Sequence, residues 1–318
     1  MLAKVIAACF SWMAPQALLC KRNANPLQMA PLSRNGLKGV KAMVAEINTP
    51  KIWQAHLPQE RHEQNKYSRG HVLIIAGNEM VGASKLAAMA ARRMGAGLVT
   101  VMAEEAHRQF FLAGAPGLLF VSSLTEMALK DFCQERKVTA LVVGQGLGKN
   151  EGTQKSVLAA LACRVPTVVD AEGLTAFAQD PKVFIKNLHE RCILTPHEGE
   201  FLTFFKTIIG HSKPAATQLA AHKTGAVVVH KGPETLIATG TEAVRNQTSA
   251  PLLATAGSGD VLAGVIGALL AKRMPPLYAA CAAVWVHSEA GKNADFGLIA
   301  EDLPSLCAQK IAPFVTIN

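Results

Sequence analysis

The residues with the most chemical reach lie in Gly257-Ser258-Gly259-Asp260. Glycines at 257 and 259 let the backbone close on itself and bring its N–H groups near an anion. An unbroken small and apolar run, residues 261–271, follows at once and predicts a buried helix that starts at the turn. The unsatisfied N–H groups and the positive end of the helix dipole then point at whatever sits in the loop. Gly257, Ser258 and Gly259 are therefore candidate phosphate contacts. Asp260 admits two readings. A carboxylate is a good N-cap. It also repels a phosphate bound in the same turn, so beside a phosphate it is better explained as a base acting on a nearby hydroxyl.

Other stretches carry related chemistry. Lys231-Gly232 closes an apolar run, and Pro233-Glu234-Thr235 continues the loop. A lysine there reaches phosphate as a point charge, and the glycine lets the backbone approach; the plain alternative is an exposed lysine. In Leu194-Thr-Pro-His-Glu-Gly-Glu200, Pro196 fixes the backbone at a strand exit, which holds His197 at the sheet edge beside two acids. Asp170 ends another apolar run. It either caps a helix beginning near Glu172 or faces a ligand or a metal-bound water. Gly77-Asn78 with Gly82-Ala83, and Gly144-Gln-Gly-Leu-Gly148, are glycine-rich strand ends that serve as tight turns or as ligand loops. The first lacks the Gly-x-Gly-x-x-Gly spacing of a dinucleotide fingerprint. His287 lies in an apolar helix and reads as a core histidine.

The elements that must position these groups alternate. Apolar runs at 70–77, 97–102, 139–144, 165–170, 192–195 and 225–232 predict strands. Helical stretches fall at 84–95, 154–163, 198–206 and 215–224, with a second small-residue helix from 277 to about 291, beyond Pro275-Pro276. Residues 235–239 suggest a short antiparallel addition. This order predicts an α/β fold with a mostly parallel sheet and helices on both faces. Ligands then belong at the carboxyl ends of the strands, where the glycine-rich loops lie.

Composition narrows the function classes. The 318 residues are half hydrophobic and carry a net charge of +9. Residues 1–50 hold six Lys and Arg against Glu46 alone, so the remaining 268 carry only +4. Without that segment the chain is an ordinary protein with no nucleic-acid signature, though local positive charge suits an anionic cofactor. The seven cysteines are scattered and form no Cys-x-x-Cys. This points to a reducing, cytoplasmic setting and singles out no metal ligand; Cys163, Cys192 and Cys281 read as core thiols. No apolar run reaches the ~18–20 residues of a membrane span. Residues 1–50 are expected to form a poorly ordered extension outside the fold. They are loosely like an organelle transit peptide, and Met29 and Met43 offer alternative starts.

The ordered motifs Gly77-Asn-x-x-x-Gly-Ala83, Gly144-x-Gly-Leu-Gly148, Val169-Asp-Ala171, Leu194-Thr-Pro-His-x-Gly-Glu200, Lys231-Gly232 and Ala254-Thr-x-Gly-Ser-Gly-Asp-Val-Leu-Ala-Gly264 resemble those of the ADP/ATP-dependent NAD(P)H-hydrate dehydratases. Gly297-Leu-Ile-Ala-Glu-Asp302 is similar to that family's closing motif. The resemblance covers about residues 51–318. It implies a ribokinase-like three-layer α/β/α domain there. It further implies dehydration of the S form of hydrated NADH or NADPH, driven by ADP or ATP with Mg²⁺ on the donor phosphates. Carried over by position, Ala83, Gly146, His197 and Asp260 contact the hydrated dinucleotide, and Asp260 is catalytic. Lys231, Gly232, Pro233, Glu234, Thr235 and Gly259 contact the adenine nucleotide. A homo-oligomer is expected, with neither nucleic acid nor membrane as a partner. The family's frequent N-terminal epimerase domain is not found in the 50 leading residues, so the epimerase is expected to be a separate partner or to be unnecessary. The sequence departs from the family pattern at Ala76, Gln145, Glu172 and Glu198.

Two rival readings stand beside this one. A small-molecule kinase of the same superfamily, acting on a vitamin-like alcohol, would use the same Gly-Ser-Gly-Asp turn and stop at the phosphorylated product. A nucleotide-sensing protein would bind without turnover.

Overall fold

Ten strands, among the described residues, form one mixed sheet. The computed structural model describes residues 45–317 apart from 209 and 249. In chain order the strands are β1 (Glu46–Ile47), β2 (His71–Ile75), β3 (Leu98–Ala103), β4 (Leu119–Ser122), β5 (Ala140–Val143), β6 (Thr167–Val169), β7 (Cys192–Leu194), β8 (Val227–His230), β9 (Thr235–Ala238) and β10 (Ala243–Asn246). Their spatial order is β1-β10-β9-β8-β7-β6-β5-β2-β3-β4. From β8 to β4 every neighbouring pair is parallel. The β8–β9–β10 stretch is antiparallel, and β1 returns to parallel beside β10.

Side-chain alternation along the strands separates two cores. On β5, Ala140 and Val142 face one way, and Leu141 and Val143 face the other. On β2, Val72 and Ile74 pack with the helices Val81–Arg93, Ser258–Ala271 and Pro276–Lys292, while Leu73 and Ile75 pack with Glu151–Ala162 and Lys213–Thr224. Because successive side chains point to opposite faces, a strand buried on both sides must be apolar almost throughout, as β2 and β5 are. The result is the expected three-layer α/β/α arrangement.

The strands expected from 70 to 239 are all present, and β9 is the antiparallel addition. Three strands were not expected. Of these, β4 is an edge strand with Leu119 exposed, β10 includes a partly exposed arginine, and β1 has two residues, so none carries a strong apolar signal. The strand β1 falls within the segment expected to lie outside the fold; its pairs are Glu46 with Val244 and Ile47 with Arg245. Residues 1–44, including most of that segment, lie outside the described residues. No helix among the described residues is long and apolar enough to cross a membrane.

One boundary matters for the chemistry. The apolar helix expected to open at the glycine turn begins at Ser258, with Gly257 as its N-cap at φ +89°. A left-handed backbone there favours glycine, and a Cβ at 257 would also fall 2.5 Å from Leu86 Cδ1. Asp260 therefore sits in the first turn of the helix and is not its cap.

Candidate active site

The parallel strands place their carboxyl ends along one edge of the sheet, and the sequence's candidate residues follow those ends. Lys231 comes directly after β8. Its backbone N–H donates to Pro196 O at 2.8 Å, which ties the exit of β8 to the exit of β7. Its Nζ donates to Asp170 Oδ1 at 2.8 Å, and Asp170 is buried. This rules out the helix-cap reading of Asp170. The short helix Glu172–Thr175 has Ala171 as its N-cap with no side-chain cap bond, and the Asp170 carboxylate goes to the lysine. Burial alone would lower the proton affinity of Lys231, but the carboxylates of Asp170, Glu200 and Asp260 prevail and raise it. The lysine stays charged. Its Nζ also lies 3.4 Å from where a Cβ on Gly259 would stand, so it reaches the turn that opens the Ser258–Ala271 helix.

Asp260 is partly exposed in that first turn. Its carboxyl is pushed up to about 7, first by burial and then by the charge of Asp170, with Glu172 and Glu200 adding to Asp170 and Lys231 opposing. A carboxylate with proton affinity near neutrality is suited to take a proton from an alcohol. Opposite charge normally holds such a group low. Here burial dominates, and the charges of Asp170, Glu172 and Glu200 add to it against the one lysine.

His197 is the N-cap of the helix Glu198–Phe204. Its Nδ1 accepts from the N–H groups of Gly199 at 3.0 Å and Glu200 at 3.3 Å, and its own N–H donates to Glu200 Oε2 at 2.9 Å. This reciprocal capping box commits Nδ1 as an acceptor and leaves Nε2 as the donor, 3.3 Å from Glu200 Oε1.

His197, Lys231, Gly232, Pro233, Thr235, Ser258 and Gly259 line a common cavity of about 580 Å³. Gly257, Glu234 and Asp260 are not on its wall. Asp260 follows the wall residue Gly259. The Glu234 carboxylate pairs with Arg245 at 3.3 Å. Ala83 and Gly146 lie outside that cavity wall. Ala83 is in the first turn of the helix Val81–Arg93, and Gly146 O accepts from the N–H groups of Glu79 at 3.1 Å and Met80 at 3.3 Å. A Cβ on Gly77 would fall 1.8 Å from Gly146 O, so the two glycine-rich loops meet backbone to backbone. Glu172 joins this group to Asp260. It accepts from Gly146 N–H at 3.0 Å, and its charge is among those that raise Asp260.

Two side chains had no place in the site expected from the sequence. Lys213 Nζ donates to Lys231 O at 3.2 Å and Glu234 O at 2.7 Å, which pins both flanks of the Gly232-Pro233 loop. Its position beside Pro214 at a helix start gives no hint of this. His287 is buried, as a core histidine should be, but it lines the cavity. Its Nε2 lies 3.0 Å from Ser258 O, which can only accept, so Nε2 carries the hydrogen. Burial lowers its pKa to about 4, which leaves it neutral while it braces the glycine turn at Ser258.

The departures have local roles. Glu198 Oε2 approaches Nε2 of buried His230 at 3.0 Å. Ala76 N–H donates to Met102 O at 2.9 Å, and Gln145 is buried with no hydrogen bond to either amide atom among the described residues. Cys192 and Cys281 are buried free thiols, whereas Cys163 is only partly buried.

A strand-end lysine paired with a buried aspartate, set against a glycine turn whose next acid is shifted toward neutrality, forms a phosphoryl-transfer arrangement. The family described as NAD(P)H-hydrate dehydratase (Carb_kinase) matches residues 72–312. The chain belongs to the NAD(P)H-hydrate dehydratase family. Its similarity to the ADP-dependent (S)-NAD(P)H-hydrate dehydratase of Listeria monocytogenes is 32% identity, covering 77% of this chain and 87% of that one. The solved ADP/ATP-dependent NAD(P)H-hydrate dehydratase of Bacillus subtilis, co-crystallised with ATP/Mg²⁺, is 25% identical with a TM-score of 0.73, covering 86% of this chain and 100% of that one. A ribokinase-like superfamily protein of Enterococcus faecalis shares the fold, with a TM-score of 0.76 at 23% identity over 87% of this chain and 99% of that one. This member of the NAD(P)H-hydrate dehydratase family spans about half the length of the curated bifunctional NAD(P)H-hydrate repair enzymes it matches.

Proposed function

We propose that this chain restores the S form of hydrated NADH or NADPH to the dihydronicotinamide, with ADP or ATP as phosphoryl donor. Hydroxide on C6 of the ring is a poor leaving group near neutral pH, and phosphate is a good one. Asp260 takes the proton of the C6 hydroxyl as its oxygen attacks the terminal phosphoryl group of the nucleotide. The O–P bond to the shortened nucleotide breaks. The ring nitrogen's lone pair then expels phosphate from C6, and loss of a proton from C5 regenerates the double bond. The backbone of Gly257, Ser258 and Gly259 and the Lys231 ammonium stabilise the transferring charge. In this reading Lys231, Gly232, Pro233, Glu234 and Thr235 hold the nucleotide, and Ala83, Gly146, His197 and Asp260 hold the hydrated dinucleotide.

The observation that carries the reading is Asp260 itself: a carboxyl pushed up to about 7 one residue beyond a glycine that Lys231 reaches. The same charge surplus bears on Mg²⁺. Among the described residues no three His, Cys, Asp or Glu side chains are grouped to hold a metal. Asp170, Glu172 and Glu200 are already engaged by Lys231, Gly146 N–H and His197 N–H. The residues fit a cation that arrives on the nucleotide phosphates, mostly through water, and offsets the local carboxylates. The other epimer of the substrate would need an epimerase activity. A homo-oligomer and a domain that starts near the first strand, with residues before it as an extension, complete the proposal.

The test is to incubate hydrated NADH with the protein, Mg²⁺ and either nucleotide. Return of dihydronicotinamide absorbance with release of phosphate is expected. An accumulating phosphorylated alcohol would point to a kinase instead, and nucleotide binding without either product would point to a sensor.

A further inference from the structure

Beyond the phosphate-facing loops, the cavity wall changes character. Leu253, Leu262 and Val284 supply apolar surface, and the polar groups there include Asn246 and Ser288. Apolar walls with a few fixed polar atoms suit the nucleoside part of a ligand better than its phosphates. Ser288 also directly follows His287, which braces the phosphate-facing turn through Ser258.

The polarity of this patch is set from a distance. Asn48 is buried, and its Nδ2 donates to Cys281 O at 2.8 Å and to Asn246 Oδ1 at 3.0 Å. A backbone carbonyl can only accept, so the Asn48 amide has one possible orientation. The Asn246 atom facing Asn48 Nδ2 must then be its oxygen. Asn246 Nδ2, which can only donate, consequently points at Ser288 Oγ, 3.0 Å away. Ser288 Oγ accepts, and its own hydrogen has no acceptor among the described residues. A carbonyl at one end of this hydrogen-bond relay thus leaves a hydroxyl donor at the cavity wall. Asn246 and Ser288 are both buried, where an unanswered donor is costly.

We propose that the Ser288 hydroxyl, held as an outward donor through Asn48 and Asn246, hydrogen-bonds an acceptor atom on the nucleoside part of the donor nucleotide. The shared chemistry is a lone pair on a purine ring nitrogen or on a ribose oxygen. Asn48 and Asn246 are positioning residues for that contact. The assignment rests on the nucleotide reading above and adds to it the group that distinguishes a nucleotide from a bare polyphosphate.

The test is calorimetric binding of Mg²⁺-ATP and of Mg²⁺-tripolyphosphate to the full chain, without the second substrate. Ser288→Ala is expected to weaken ATP about five- to thirtyfold and to leave tripolyphosphate within twofold. Asn48→Ala keeps Ser288 but frees the relay to reverse, so a loss of severalfold for ATP alone is expected. Deoxyribose and deazapurine analogues of ATP locate the acceptor. The one that binds the wild type and Ser288→Ala equally lacks the atom concerned. Unchanged ATP affinity in both variants overturns the assignment, as does an equal loss for tripolyphosphate. A wild-type chain that binds ATP and tripolyphosphate equally tightly overturns it while sparing the phosphate site. A wild-type chain that binds neither overturns the nucleotide reading and this assignment with it.

Discussion

Asp260 sets the clearest expectations at the scale of single residues. With its carboxyl pushed up to about 7, the form that can serve as the proposed base is the ionised one. Activity measured as kcat/KM should therefore rise with pH through about 7 and level off above it. Asp260→Asn is expected to lower kcat roughly 10²- to 10⁴-fold, in steady-state assays with nucleotide affinity retained. The stability effect has the opposite sign. A carboxyl whose pKa is raised on folding, from 3.8 toward about 7, favours the folded state while protonated and loses that advantage as pH rises between the two values. Above pH 7 the ionised group opposes folding in full, so Asp260→Asn should raise the thermal midpoint there and do little at pH 4. An inactive variant that is also less stable at pH 8 would contradict this origin of the shift. Lys231 behaves differently. Lys231→Met leaves Asp170 buried without its cation, at a cost of about 3–5 kcal/mol in denaturant unfolding. Adding Asp170→Asn should recover part of that loss, and a merely additive double variant would show that the pair is not coupled.

At the scale of elements, the turn before the Ser258–Ala271 helix is the sensitive point. Gly257→Ala must place a side chain at φ +89° and within 2.5 Å of Leu86 Cδ1. Chemical unfolding should show a loss of about 1–3 kcal/mol. A larger effect is expected on kcat, because in the proposed mechanism the N–H groups of the turn aim at the transferring phosphoryl group. The sequence marked this element well. An uninterrupted small and apolar run after two glycines can only be a buried segment opening at a turn. What it left open was whether Asp260 caps that helix, and the structure starts the helix at Ser258 with Gly257 as the cap. The consequence was chemical: as a cap Asp260 would have been occupied by backbone N–H groups, whereas in the first turn its carboxylate faces Lys231 and three other acids. The edge strands were overlooked for a related reason. A strand that is exposed or two residues long, such as β4 or β1, shows no apolar periodicity to detect.

At the scale of the molecule, the first described strand joins sequence regions that lie far apart. Removing residues through 50 takes away the β1–β10 pairing and the Asn48 bonds to Asn246 and Cys281. Thermal unfolding of that truncated chain should begin several degrees lower than for a chain starting at residue 45. Equal midpoints would show that the fold begins after residue 50.

What the residue order determined by itself was local. Apolar runs with a period of two or of 3.6 specified the alternating strands and helices. The glycine, lysine, histidine and aspartate positions at strand ends followed from that alternation, because parallel strands bring their carboxyl ends to one edge. Only the tertiary structure decided which of those groups met. Lys231 and Asp170 are 61 positions apart, Ser258 and His287 are 29, and Asn48 and Asn246 are 198. Each pairing depends on the order of strands in the sheet and on helices packed across it. The proton affinity of Asp260 depends on the summed charge and burial contributed by several such elements at once. Periodicity along a chain carries no record of that sum, since electrostatic energy follows distance in space and not separation in sequence.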